Sequence, residues 1–252
     1  MEVQPKITVI TVTYNAGKSL EEAILSVISQ TYANIEYIVI DGGSTDETLD
    51  IIEKYEDRID YWISEPDKGI YDAMNKGWKR SSGEWIYYLG SDDVLLENGL
   101  EILANEIDTN SDIIYGNIIY DKIWGRIEKK AYPPRCLKHF MCCSHQAVIM
   151  KKSVMEQLDG FNTSYSIIAD FDLFQRAFLK QHIFRYINKP IAIFSMRGVS
   201  SYSFSLEFER YHIMKHNKSV RCPKCFFFYH IVRKALSIAR YKTRKFFIKI
   251  NI

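Results

Sequence analysis

The sequence predicts an α/β fold, a mostly parallel sheet flanked by helices, and three observations carry that prediction. The first 110 residues alternate short β-branched runs with stretches of helical periodicity. Polar clusters follow directly on the apolar runs, where an open parallel sheet binds its ligands. Charge then divides the chain near residue 210, leaving a basic, aromatic tail after an acidic body.

The first strand is Ile7-Thr8-Val9-Ile10-Thr11-Val12, apolar and too short for a helix. Ser19-Leu20-Glu21-Glu22 predicts a capping box, and Leu20, Ala23, Ile24, Val27 and Ile28 share one helical face. The unit repeats: a strand at Ile35 to Ile40, the turn Asp41-Gly42-Gly43, and Ser44-Thr45-Asp46-Glu47 capping a helix whose Leu49, Ile52 and Tyr55 point inward. A strand at Ile59 to Ile63, a loop through Pro66 and Gly69, a helix near Tyr71 to Arg80 and a strand from Trp85 to Leu89 continue the alternation. Such an order favours a parallel sheet covered on both faces. Later signals are weaker: a hairpin around Ile118 to Lys129, a strand at Ala147 to Met150, a helix over Asp170 to Lys180, and short strands near Ile183 and Ile191.

With 252 residues and 47% hydrophobic content the chain can bury one substantial core. We expect one domain over 1–209 and a tail over 210–252. No stretch approaches the roughly 18 apolar residues that span a bilayer. Met1 to Lys6 runs into a strand pattern without the apolar segment of a signal peptide, so a cytosolic location is expected. The net charge of +2 conceals an asymmetry: residues 210–252 hold 12 Lys/Arg and no acid, while 1–209 hold 21 bases against 31 acids. An acidic body argues against nucleic acid as a partner, and the tail suits an anionic membrane surface. There Phe226, Phe227, Phe228, Tyr229, Ile231, Val232, Ala235, Leu236, Ile238 and Ala239 form a wide apolar face opposite Arg233, Lys234, Ser237, Arg240 and Arg244. The five cysteines are expected to be reduced thiols, Cys222 and Cys225 forming a lone CxxC.

Three polar clusters follow strands: Thr13-Tyr14-Asn15, Asp41, and Asp92-Asp93. No GxGxxG follows the first strand and no GxxxxGK[ST] occurs, so neither a dinucleotide nor a P-loop grip is expected. Adjacent carboxylates at a strand end are costly unless a cation neutralises them, and a hard divalent ion would do so while gripping a diphosphate. A solvated turn capping the helix from Glu97 is the alternative.

Taken together, Ile7 to Asn15, Val39-Ile40-Asp41-Gly42-Gly43-Ser44-Thr45-Asp46, Asp67-Lys68-Gly69-Ile70-Tyr71-Asp72-Ala73-Met74-Asn75-Lys76-Gly77 and Gly90-Ser91-Asp92-Asp93 resemble the family-2 glycosyltransferases of GT-A fold over residues 5 to about 200. The resemblance implies a nucleotide-sugar half over 1–110 and an acceptor half over 111–209. It implies that Val12, Tyr14 and Asp41 line a base pocket favouring uracil, with Asn15 beside them, and that Lys68 and Gly69 lie near the phosphates. Asp92 is then near the ribose and Asp93, with Asp92, at Mn²⁺ or Mg²⁺. Ile168-Ala169-Asp170-Phe171-Asp172-Leu173 resembles the family's segment carrying the catalytic base, which makes Asp170 the base and Asp172 the fallback, although Ala169 stands where the family has Glu. His145-Gln146 and Gly160-Phe161-Asn162 match as well, His145 on the acceptor side, and Arg197-Gly198-Val199-Ser200 resembles a loop that closes on the diphosphate.

The implied activity is inverting transfer of a single hexose or N-acetylhexosamine from a nucleotide-diphosphate sugar, UDP-linked by preference. A glycan or polyprenyl-linked acceptor of cell-surface polysaccharide assembly, and a peripheral place at the inner face of the membrane, complete the expectation. The QxxRW motif and membrane spans of processive synthases are missing from the sequence. Rival readings are a nucleotide-sugar-binding module without catalysis, a sugar nucleotidyltransferase, and a tail-driven membrane scaffold.

Overall fold

The structure, a computed structural model, describes residues 4–122, 125–195, 204–228 and 231–232. Arg197 and most of the apolar face expected in the tail lie outside them. The chain forms two compact units, Met1–Val199 and Ser200–Ile252.

In the first unit β1 (Ile7–Thr13), β2 (Ile35–Asp41), β3 (Tyr61–Ser64) and β4 (Trp85–Gly90) are parallel neighbours in the order β3-β2-β1-β4. Helices α1 (Leu20–Ile28), α2 (Thr48–Lys54) and α3 (Ile70–Arg80) connect them. Every residue of β1 is buried, as a strand covered on both faces requires. Its apolar residues contribute about 2 kcal/mol each when removed from water. On α3, Gly77 lets the helix approach closely, since a methyl group there would meet Ile10 Cγ2 at 2.5 Å. Neither expected capping box closes. Ser19 precedes α1 but its hydroxyl donates to the Ala16 carbonyl at 3.4 Å, and α2 starts only at Thr48, whose N–H donates to Asp46 Oδ1 at 3.1 Å.

Beyond β4 the sheet becomes mixed. It runs on through β8 (Val148–Lys151), β6 (Ile113–Lys122), β9 (Phe184–Ser195) and β5 (Val94–Leu95), with β7 (Gly125–Lys129) on β6. β8 is antiparallel to both β4 and β6, while β9 is parallel to β6. The two short strands expected near Ile183 and Ile191 are one strand of 12 residues. Pro190 cannot donate to the ladder, and the register shifts on either side of its partner Asn117 absorb the break. Helices α4 (Gly99–Ala104), α5 (Lys152–Leu158) and α6 (Ala169–Leu179) complete the unit.

In the second unit α7 (Phe204–His216) precedes a helical turn over 223–228. Phe227 packs on Phe208 and Tyr211 at ring distances of 5.1 and 5.3 Å, while Phe228 is exposed. The expectation of reduced thiols is corrected for one pair: the turn brings the Cα atoms of Cys222 and Cys225 to 5.5 Å, within bridging range, and a disulfide joins them. Cys136, Cys142 and Cys143 are free. Among the described residues no helix is long and apolar enough to cross a membrane.

Candidate active site

Parallel registration brings four strand ends to one edge. Thr13 lies opposite Asp41, Asp41 opposite Ser64, and Val12 opposite Gly90. The residues that follow therefore converge where an α/β sheet binds ligands. Hydrogen bonds lace the first two loops together: the Asn15 N–H donates to Ser44 Oγ at 2.7 Å, Ala16 N–H to Thr48 Oγ1 at 2.8 Å, and Thr45 N–H to Asn15 Oδ1 at 2.9 Å. Asn15, exposed and at a φ of 48°, thus also latches the two loops together. Tyr14, which precedes the laced Asn15, is 63% exposed. Val12 is buried.

Asp41 has no exposed surface. Its Oδ2 accepts from Gly43 N–H at 3.0 Å, Ser44 N–H at 2.8 Å and the Ser64 hydroxyl at 2.6 Å, while Oδ1 accepts from the Ser44 hydroxyl at 2.5 Å. Three donors thus converge on Oδ2 and one on Oδ1, which leaves acceptor capacity on Oδ1. Asp41 thereby also organises the loop that borders the expected base pocket. Lys68 and Gly69 sit where α3 begins, Gly69 at a φ of 113° with open space where a Cβ would stand. The Lys68 N–H donates to Asp72 Oδ2 at 3.1 Å and the Gly69 N–H to Asp67 Oδ1 at 2.7 Å.

At the end of β4 Asp93 is 1% exposed, accepting from Gln146 Nε2 at 2.8 Å and from the Ser195 N–H at 2.9 Å. Burial, and after it the charge of Asp92, pushes its carboxyl up to about 6. Asp92 is half-buried, and burial raises it too. Two hard oxygen donors whose ionisation is opposed by burial, and for Asp93 also by the charge of Asp92, fit a divalent cation that takes one or two carboxylates and fills its remaining positions from phosphate and water. Among the described residues no group of three or more His, Cys, Asp or Glu forms a protein-only metal cage.

Asp170 stands in the first turn of α6, 18% exposed at its side chain. Its Oδ1 accepts from the Phe171 N–H at 2.8 Å and lies 3.3 Å from the Tyr71 hydroxyl, which also reaches the Ile167 carbonyl at 2.9 Å. Its Oδ2 is 3.5 Å from His145 Nδ1. The same imidazole is close enough to act on the charges of Asp92 and Asp93, so His145 links the β4 carboxylates to the head of α6. Asp172 is placed differently. It is fully buried and ion-paired with Arg176 Nε at 2.7 Å, and that guanidinium also donates to the Leu158 and Gly160 carbonyls. The structure thus places the fallback base in a buried ion pair, because two helical positions from Asp170 its side chain points into the protein. Ala169 is also fully buried.

Gln146 and Tyr71 were named only as parts of motifs, yet they hold Asp93 and Asp170 respectively. The one available signal was their adjacency to His145 and Gly69-Ile70. Their partners lie 53 and 99 residues away.

Comparison with known proteins now bears on this site. The family model described as Glycosyl transferase family 2 matches residues 8–181. A PGL/p-HBAD biosynthesis glycosyltransferase of Mycobacterium tuberculosis is 31% identical over 201 residues, covering 77% of this chain and 78% of the relative. Among solved structures, S. aureus TarS in complex with UDP-GlcNAc superposes with a TM-score of 0.70 at 21% identity, over 84% of this chain and 65% of that one. The mannosyltransferase PcManGT of Pyrobaculum calidifontis, in complex with GDP-Man and Mn²⁺, gives 0.62 at 18% identity, over 86% of this chain and 64% of that one. This chain thus spans just under two thirds of the solved chains, and at such identities the likeness establishes the fold.

Proposed function

We propose, from the premise that this chain belongs to glycosyl transferase family 2 and has the GT-A fold, that it transfers one sugar from a nucleotide-diphosphate donor to a glycan acceptor with inversion. What supports this is an exposed Tyr14 and the Asp92-Asp93 pair at the ends of parallel strands, together with His145, which lies 3.5 Å from Asp170 and acts electrostatically on Asp92 and Asp93. Residues 1–110 supply the donor side and 111–209 the acceptor side. UDP-linked donors are favoured by the ligand of TarS, although the ligand of PcManGT shows that the fold also serves GDP-sugars.

In this mechanism the base stacks on Tyr14 while Lys68 and the head of α3 face the diphosphate. A divalent cation held by Asp92 and Asp93 supplies Lewis-acid charge for the leaving diphosphate when bound. Asp170 takes the proton from the acceptor hydroxyl as its oxygen bonds to the anomeric carbon, and the bond from that carbon to the diphosphate breaks on the opposite face. Tyr71 and His145, 3.3 and 3.5 Å from its two oxygens, steady the Asp170 carboxylate for this step. A lipid-linked acceptor fits a tail with 12 basic and no acidic residues over 210–252, placing the enzyme at an anionic membrane surface.

Incubating the protein with a panel of nucleotide sugars, Mn²⁺ and lipid-linked glycans tests the proposal through nucleotide diphosphate release. Release from one donor, lost with chelator and in Asp93→Ala, is expected, and the anomeric configuration of the product by NMR reports inversion. If no donor binds by calorimetry, the donor site is wrong.

A further inference from the structure

A cavity of about 520 Å³, within the range of small-ligand sites, lies between β6, β9 and the loop over 130–134. Tyr115, Phe184, Tyr186, Asn188, Lys130 and Pro134 are among its lining residues. Tyr115 is the ladder partner of Tyr186, and Phe184 and Asn188 share that face of β9. Its rings meet: the Tyr115 centroid is 5.4 Å from that of Tyr186 and 6.3 Å from that of Phe184, and Tyr186 is 41% exposed. The Tyr186 hydroxyl lies 3.1 Å from Asn188 Oδ1, to which Asn117 Nδ2 donates at 3.2 Å. The amide oxygen of Asn188 is thereby engaged, while its Nδ2 has no acceptor among the described residues. Charge here runs against that of the acidic body, since residues 129–138 hold Lys129, Lys130, Arg135 and Lys138 and no acid. Lys130 is exposed and makes no ion pair among the described residues, and Glu128 just before it is engaged by Asn117 Nδ2 at 2.6 Å. On α6, Phe178 packs against Phe184 at 6.5 Å, about 12 Å along the helix from Asp170.

We propose that this cavity binds an anionic sugar unit of the acceptor, a pyranose bearing a carboxylate or a phosphate. The assignment rests on the transferase reading above and names the acceptor's class. A pyranose offers an apolar C–H face and a polar rim, which suits an aromatic wall bordered by a few placed polar groups. Tyr186 takes the C–H face, Asn188 Nδ2 donates to an oxygen of the rim, and Lys130 Nζ pairs with the anion. A neutral sugar would leave the charge of Lys130 unanswered, and a bare anion would leave the aromatic wall unused. Set apart from Asp170, the cavity holds a unit other than the one whose hydroxyl reacts, so it contributes to acceptor binding and not to the chemical step.

Calorimetry of the full chain without donor provides the test. The probes are an oligosaccharide containing glucuronate, the same oligosaccharide with its carboxylates reduced to alcohols, and one bearing phosphate esters in their place. At least one anionic form is expected to bind about tenfold tighter than the reduced form, and the tighter of the two identifies the charge the site takes. Lys130→Glu should erase the preference without changing the melting temperature, and Lys130→Arg should keep it. Tyr186→Ala should weaken all three by about tenfold. In transfer assays Lys130→Glu should raise KM for an anionic acceptor by about tenfold and leave kcat as in the wild type. Equal affinity for the anionic and reduced forms, or a preference that survives Lys130→Glu, would overturn the assignment while leaving the transferase proposal standing. A charge preference that Lys130→Glu removes, in a chain that transfers sugar from no donor, would uphold the cavity as a site for anionic sugars and overturn the transferase reading instead.

Discussion

The ends of β2 and β4 each place a buried aspartate at the same sheet edge, and the two are held in opposite ways. Asp41 receives four internal donors and has no exposed surface. Asp93 receives two and lies beside Asp92, which works against its ionisation. The first is largely satisfied and organises a loop, while the second keeps a deficit that a ligand or cation can make good. The contrast recurs within one turn of α6, where Asp172 is locked to Arg176 and Asp170 keeps an edge beside His145. Which of two aspartates close in sequence reaches a ligand is thus decided by its donors.

Changing each member of these pairs separates the roles. Asp170→Asn should lower turnover by about two to four orders of magnitude while nucleotide affinity and melting temperature stay as in the wild type. A matching loss of affinity would instead place Asp170 in the donor site. Asp172→Ala should do the reverse, costing about 3 kcal/mol by leaving a largely buried arginine without its carboxylate, seen as a lower urea midpoint.

Asp93 sharpens the comparison through pH. Its folded carboxyl, at about 6, lies above the ordinary value, so between about pH 4 and 6 the native state binds more protons than the unfolded chain. Stability then falls as pH rises across that window, by about 2 to 3 kcal/mol from this group. Asp93→Asn should remove the slope, which urea titrations at pH 4.5 and 7 would show, and should also remove any cation dependence of nucleotide binding. A slope unchanged in the variant would assign it to other groups. The smallest effect expected is that of Ser64→Ala, which takes one of four donors from Asp41 and should cost about 1 kcal/mol without altering base preference.

Much of the first half was legible in the sequence. β1, β2 and β4 are apolar runs closed by polar turns, so Tyr14, Asp41 and Asp92-Asp93 were identifiable as strand-end residues. Helix starts were less so: Asp46 and Ser19 spend their side chains on loop contacts with Thr48 and Ala16, a competition invisible to a capping pattern. The mixed half was harder still, because β9 continues through Pro190 only by virtue of a register shift against β6.

By itself the sequence determined the alternation of strands and helices from β1 to β4, the polar residues at those strand ends, the resemblance to family 2 and the basic tail, since these depend on local periodicity and residue type. Only the tertiary structure decided which carboxylates remain available. Ser64 reaches Asp41 across 23 residues, Gln146 reaches Asp93 across 53, and Tyr71 meets Asp170 across 99. A carboxylate's availability depends on the donors that packing brings to it, and no local pattern encodes them.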